Sequence, residues 1–180
     1  MPSRNTSALH RFRQSTPGAR YFITCCTEGR QIGLTNPKQI SAIHQVIAGF
    51  EGCGDVETFA ATVMPDHFHW LFALGSRLAI GRVLARFKAQ TRAALADQSL
   101  QWQRDFFEHR VRLDERVEHY GVYIFLNSYR ASLVRPNEKW PGWYCPKPKF
   151  FEFTALLAAG ETPPPEWIGF PVPAGLMTGE

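Results

Sequence analysis

None of the four cysteines, Cys25, Cys26, Cys53 and Cys145, stands at the two-residue spacing of a zinc-ligand pair or a dithiol redox motif. Structural zinc and thiol–disulfide chemistry therefore drop out. Cys25 and Cys26 lie in an apolar run where cysteine acts as a small hydrophobe, so free buried thiols are expected. No uninterrupted apolar stretch approaches the roughly 20 residues that span a bilayer. The N-terminus, MPSRNTSALHRFRQ, lacks the apolar centre of a secretory signal. A cytoplasmic protein with no membrane partner is expected, nucleoid-associated when it acts. Acidic residues are missing from two stretches, 1–27 and 77–92, although the net charge is only +4. One-signed stretches of this kind favour a polyanion, although a solvated helix face also accounts for them. No internal repeat is present, and neither is the full RNP1 pattern of sheet-surface RNA binders.

What is present is an apolar share of 44%, enough for a core in a chain of 180 residues. Residues 21–26 (YFITCC) are aromatic and β-branched and predict a strand. Asn36-Pro37 opens a helix to about Phe50, stopped by Glu51-Gly52-Cys53-Gly54. Residues 56–63 and 67–74 predict a hairpin turned at Met64-Pro65-Asp66. A second helix over 78–96 buries Ile80, Val83, Leu84, Phe87, Ala94 and Leu95. Residues 105–113 predict a fourth strand, and Asp114 a cap for a third helix to about Asn127. Leu113, Val117, Gly121 and Ile124 are the expected core face of that helix.

This order predicts an α+β fold: a ferredoxin-like (split βαβ) antiparallel sheet with helices on one face. An added C-terminal helix and an irregular tail complete it. Residues 1–140 form the main domain. Residues 141–180, broken by repeated prolines, form an extension partly packed through Trp143, Phe150 and Phe151 and frayed at its end.

His67 and His69 flank Phe68 on the third strand. Alternate residues share a strand face, so both imidazoles can meet one metal ion. A plain structural pair remains open on these residues alone. On the third helix Tyr123 and Asn127 stand four apart, about 5–6 Å between Cβ atoms. A phenol near pKa 10 needs activation to act as a nucleophile, and a divalent cation that polarises a phosphodiester supplies help. Asn127 offers a carbonyl oxygen as third ligand. Tyr120 and Tyr129 are rival nucleophiles, and Tyr123 can equally be a boundary residue. Arg82, Arg86, Lys88 and Arg92 are candidate phosphate contacts.

The segment VMPDHFHWL resembles the Met-Pro-Asn/Asp-His-x-His signature of the REP-associated tyrosine transposases, one-tyrosine HUH enzymes. YFITCCTEGR is similar to that family's first strand, RVLARFKAQTR to its second helix, and WQRDFFEHRVR to its fourth strand. YIFLN is similar to its catalytic Tyr-x-x-x-Asn helix. The resemblance spans roughly residues 21–140. It implies single-strand DNA cleavage through a 5′-phosphotyrosine, with Mg²⁺ or Mn²⁺, on hairpin-forming repetitive extragenic palindromes. It makes Tyr123 the nucleophile and His67, His69 and Asn127 the metal ligands, in a monomer or homodimer. Ser128, Tyr129 and Ser132 depart from the family's proline, valine and glycine, and loss of the proline lets the helix continue.

Two other functions compete. A non-catalytic single-strand binder would use Tyr21, Phe22, Phe68, Trp70 and Phe72 as stacking platforms. A metal-dependent hydrolase would use water in place of Tyr123.

Overall fold

Each apolar run that alternates or is rich in β-branched residues joins one sheet. The computed structural model describes residues 15–158 and 160–169. The sheet has five strands: β1 (Arg20–Cys26), β2 (Val56–Val63), β3 (His67–Leu74), β4 (Phe107–Arg110) and β5 (Trp143–Tyr144). Their order is β4-β1-β3-β2-β5, every pairing antiparallel. The first four strands show the order and alternation of a split βαβ fold. The expected acid-free N-terminus lies mostly outside the described residues, as does the end of the tail.

Helices α1 (Pro37–Gly52) and α2 (Ile80–Ala96) cover one sheet face. Ile40, Ile43, Ile47 and Phe50 of α1, with Ile80, Val83, Leu84 and Phe87 of α2, meet Ile23, Phe68, Trp70 and Phe72 there. Full burial of such side chains contributes about 1.5–3 kcal/mol each. Helix α3 (Val117–Arg130) covers the opposite face, packing Ile124 and Tyr123 on Phe22, Phe59 and Leu71. The added helix thus turns a two-layer fold into three layers.

With both faces covered, the stacking platforms of a sheet-surface binder do not exist. Phe22 is 3% exposed, and Tyr21, Phe68, Trp70 and Phe72 are 0%. These rings are core, because strands buried on both sides must be apolar on both sides.

Differences from the sequence reading cluster before α3. Strand β4 is only four residues long, and α3 begins at Val117 with Arg116 as its N-cap. Asp114 therefore caps nothing, and Leu113 is fully exposed where a core position was expected. Cys53 is likewise exposed, while Cys25 is buried; all four cysteines are free. The segment after Trp140 adds β5 to the β2 edge and lays Phe151, Phe153 and Trp167 against α3. Among the described residues no helix is long and apolar enough to cross a membrane.

Candidate active site

Strand alternation places His67, His69, Leu71 and Ala73 on the α3 face and Phe68, Trp70 and Phe72 on the other. The register sets His69 opposite Thr24 of β1, and the Thr24 hydroxyl lies 2.9 Å from His69 Nδ1. Asp66, in the turn before β3, brings Oδ1 to 2.6 Å from His67 Nδ1. A carboxylate only accepts, so His67 carries its proton on Nδ1 and leaves a bare lone pair on Nε2. The two Nε2 atoms are 3.1 Å apart.

The turn is held from outside. The Thr27 amide and hydroxyl both donate to the Asp66 carbonyl, and Gly33 and Leu34 amides donate to the Pro65 carbonyl. Arg30 donates to Asp66 Oδ2 at 3.3 Å from a left-handed backbone, φ 55°. Holding a non-glycine residue there costs energy, so the surrounding contacts fix it. Burial, then the neighbouring His67, then Arg30, pull His69 well below the usual imidazole range. His69 is thereby biased toward the neutral imidazole, the form that ligates.

Helix α3 faces this pair from above. The Tyr123 ring stands edge-on to His69 with centroids 5.4 Å apart, and Phe22 stacks on the same imidazole at 5.3 Å. The Asn127 amide nitrogen donates to His69 Nε2 at 3.3 Å. Amide N and O are set by the hydrogen-bond network, so a cation would turn the oxygen toward the same point. Among the described residues no group of three or more His, Cys, Asp and Glu is placed to hold a metal. Two imidazoles plus an amide are the available donors.

That donor set fits a divalent ion. Two ligands at right angles, each about 2.1 Å from an octahedral ion, sit about 3.0 Å apart. The Nε2 separation of 3.1 Å matches this spacing.

The rival tyrosines are engaged elsewhere. The Tyr129 hydroxyl donates to the Glu138 carbonyl at 3.0 Å. Tyr120 stacks on His109, and burial followed by the Glu115 carboxylate pushes its phenol up to about 12. Arg130 is a half-buried cation two turns beyond Tyr123; burial pulls its guanidinium down, and its electrostatic interaction with Tyr123 opposes that shift. Of the four expected phosphate contacts, Arg86 pairs with buried Asp55 at 3.3 Å and lies over Phe50. Lys88 donates to the Gln103, Arg104 and Asp105 carbonyls. Arg82 and Arg92 are exposed. Sequence reasoning missed Thr24, Arg30, Asp66 and Arg130. Asp66 had a visible signal, a carboxylate directly before a histidine, whereas Thr24 requires the strand register.

Fold and site together define an α+β domain with a two-histidine centre on its sheet and a tyrosine from a covering helix beside it. The family model described as "Transposase IS200 like" matches residues 15–124, a span that includes both histidines and Tyr123. The chain belongs to that transposase family, and is by that membership a DNA-processing protein. A Haemophilus influenzae protein described as a REP-associated tyrosine transposase is 26% identical over 148 residues, covering 72% of this chain and 81% of the relative. A solved structure of a REP-associated tyrosine transposase bound to a REP hairpin matches with a TM-score of 0.62 at 22% identity, covering 79% of this chain and 82% of that one. At that identity the likeness speaks for the fold.

Proposed function

We propose that this protein cuts and rejoins single-stranded DNA, with Tyr123 as nucleophile and a divalent metal, Mg²⁺ or Mn²⁺, held by His67, His69 and Asn127. The observation that carries the reading is the convergence of the two Nε2 atoms, the Asn127 amide and the Tyr123 ring in one place on one chain. Hairpin DNA of the repetitive extragenic palindrome type is the expected substrate, because the related solved structure holds such a hairpin.

When bound, the cation polarises the scissile phosphodiester and offsets the charge that develops on its oxygens. The remaining work falls to the chain. Asp66 and Thr24 orient the imidazoles through their Nδ1 atoms. Packing of Phe22 and His69 holds the phenol ring over the site. Attack of the Tyr123 oxygen on phosphorus forms a 5′-phosphotyrosine and expels a 3′-hydroxyl. The tyrosine ester retains the phosphate bond, so a 3′-hydroxyl can reverse the reaction and join strands without a nucleotide cofactor. Arg130, a half-buried cation on the same helix, is electrostatically coupled to Tyr123. All of these groups belong to one chain, so the chemistry does not require a second copy.

The test is incubation of the full chain with labelled single-stranded hairpin DNA and Mg²⁺ or Mn²⁺. A covalent protein–DNA adduct is expected, lost with chelator and in Tyr123→Phe. Cleavage without adduct makes the protein a hydrolase. An adduct that survives Tyr123→Phe but disappears in Tyr120→Phe or Tyr129→Phe moves the nucleophile.

A further inference from the structure

A second concavity lies at the end of the sheet where His67 begins β3. It is a cavity of about 630 Å³ between the second half of α2 and residues 99–104, within the range of small-ligand pockets. Its walls include Lys88, Arg92, Leu95, Leu100, Trp102 and Arg104, and among the described residues no acidic one lines it. Arg92 and Arg104 are exposed, and Trp102 is half-buried. The indole is fixed before any ligand arrives: its Nε1 donates to Thr91 Oγ1 at 2.9 Å, and its ring packs on Phe87. Lys88 holds the far wall by donating to three successive carbonyls, those of Gln103, Arg104 and Asp105. An aromatic plane, apolar neighbours and two flanking guanidiniums suit a base with its phosphate.

The cavity is also joined to the candidate active site through one short piece of backbone. Thr27 donates its amide to the Asp66 carbonyl and forms a β-bridge with Trp102. The next amide, Glu28, donates to the Gln101 carbonyl, and Gln103 donates to Cys26. The wall bearing Trp102 is thus hydrogen-bonded to the strand end that pairs with His67.

We infer that this cavity takes an unpaired nucleotide of the DNA strand engaged at His67 and His69, its base against Trp102 and its phosphate between Arg92 and Arg104. The inference rests on the single-strand DNA reading above. It gives the protein a second grip on the strand, set off from the cutting point.

The test uses the full chain and a hairpin oligonucleotide with single-stranded extensions on both sides, carrying 5-bromodeoxyuridine at successive unpaired positions. Irradiation is expected to cross-link one of these positions to the peptide containing Trp102. An Arg92→Ala/Arg104→Ala double variant should bind the extended hairpin about tenfold more weakly, with a salt slope shallower by about 0.7 for one lost phosphate contact on a single strand. Its Mn²⁺ affinity should match the parent's. The inference is overturned if wild-type protein forms the Tyr123 adduct while the cross-links fall elsewhere and the double variant binds with unchanged affinity and slope. If cross-links map to Trp102 and the double variant binds more weakly, yet no adduct ever forms, the nucleotide site stands and the catalytic reading falls.

Discussion

On the proposed metal reading, Asp66 decides which nitrogen of His67 would face the cation, because its carboxylate lies 2.6 Å from Nδ1 and accepts the proton there. Outer partners of this kind commonly change metal affinity by about 10–100-fold. Asp66→Ala should therefore weaken Mn²⁺ binding by about that factor. Asp66→Asn, which keeps an acceptor oxygen but loses the charge, should weaken it less. Titration followed by the EPR signal of free Mn²⁺ reads both, and equal affinities for all three proteins would remove Asp66 from the site. At this scale the sequence was informative where chemistry is local. His67 and His69 share a face because strand period is two, and that is visible in any His-x-His on a strand. The roles of Thr24 and Arg30 depend on pairing across tens of residues and on a left-handed backbone at Arg30, neither of which a local pattern encodes.

Helix α3 ends in a manner that its departures from the transposase pattern explain. Leu133 donates its amide to the Ser128 carbonyl and Ser132 donates to the Tyr129 carbonyl, the paired bonds of a Schellman motif. Ser132 occupies the left-handed position at φ 56°, where glycine is usual. A side chain there costs on the order of 1 kcal/mol. Ser132→Gly should raise stability by somewhat less than that, since glycine also loosens the unfolded chain. Urea denaturation midpoints compare the two proteins, and a lower midpoint for the glycine variant would contradict the reading. Ser128, in place of proline, leaves the helix intact through Arg130, as the sequence implied. Strands β2 and β3 were equally legible, since turn residues bound each apolar run. The start of α3 was not, because Leu113 looks like a core leucine in any periodic count. Its segment is instead a turn on the outside, and the exposed leucine carries no signal that would distinguish it.

On the scale of the whole molecule, one imidazole helps tie helix α1 to the edge of the sheet at β5. His44 of α1 donates from Nε2 to the Gly142 carbonyl at 3.3 Å and packs on Tyr144 of β5. Burial lowers its pKa, offset in part by that hydrogen bond. Above about pH 6.5 both folded and unfolded chains hold it neutral, so it adds no pH dependence. As pH falls below that value the unfolded chain takes up the proton first. Folded stability then drops until the lowered folded pKa is reached, and levels off beneath it. His44→Gln keeps a donor without the titration, and should lose less stability than wild type between about pH 7.5 and about pH 5.5. Denaturation curves at both values check this, and identical losses would refute it.

The packing of Gly121 carries one more consequence. A Cβ at that position would come within 2.4 Å of the Phe151 ring, so tail and helix interlock with no slack. Sliding α3 along the sheet by even one turn would drive bulkier side chains into the same ring. On the single-strand reading, a DNA end fastened to Tyr123 therefore keeps its berth above His67 and His69 until it is released. Any exchange of partners must come from the nucleic acid travelling across a stationary anchorage.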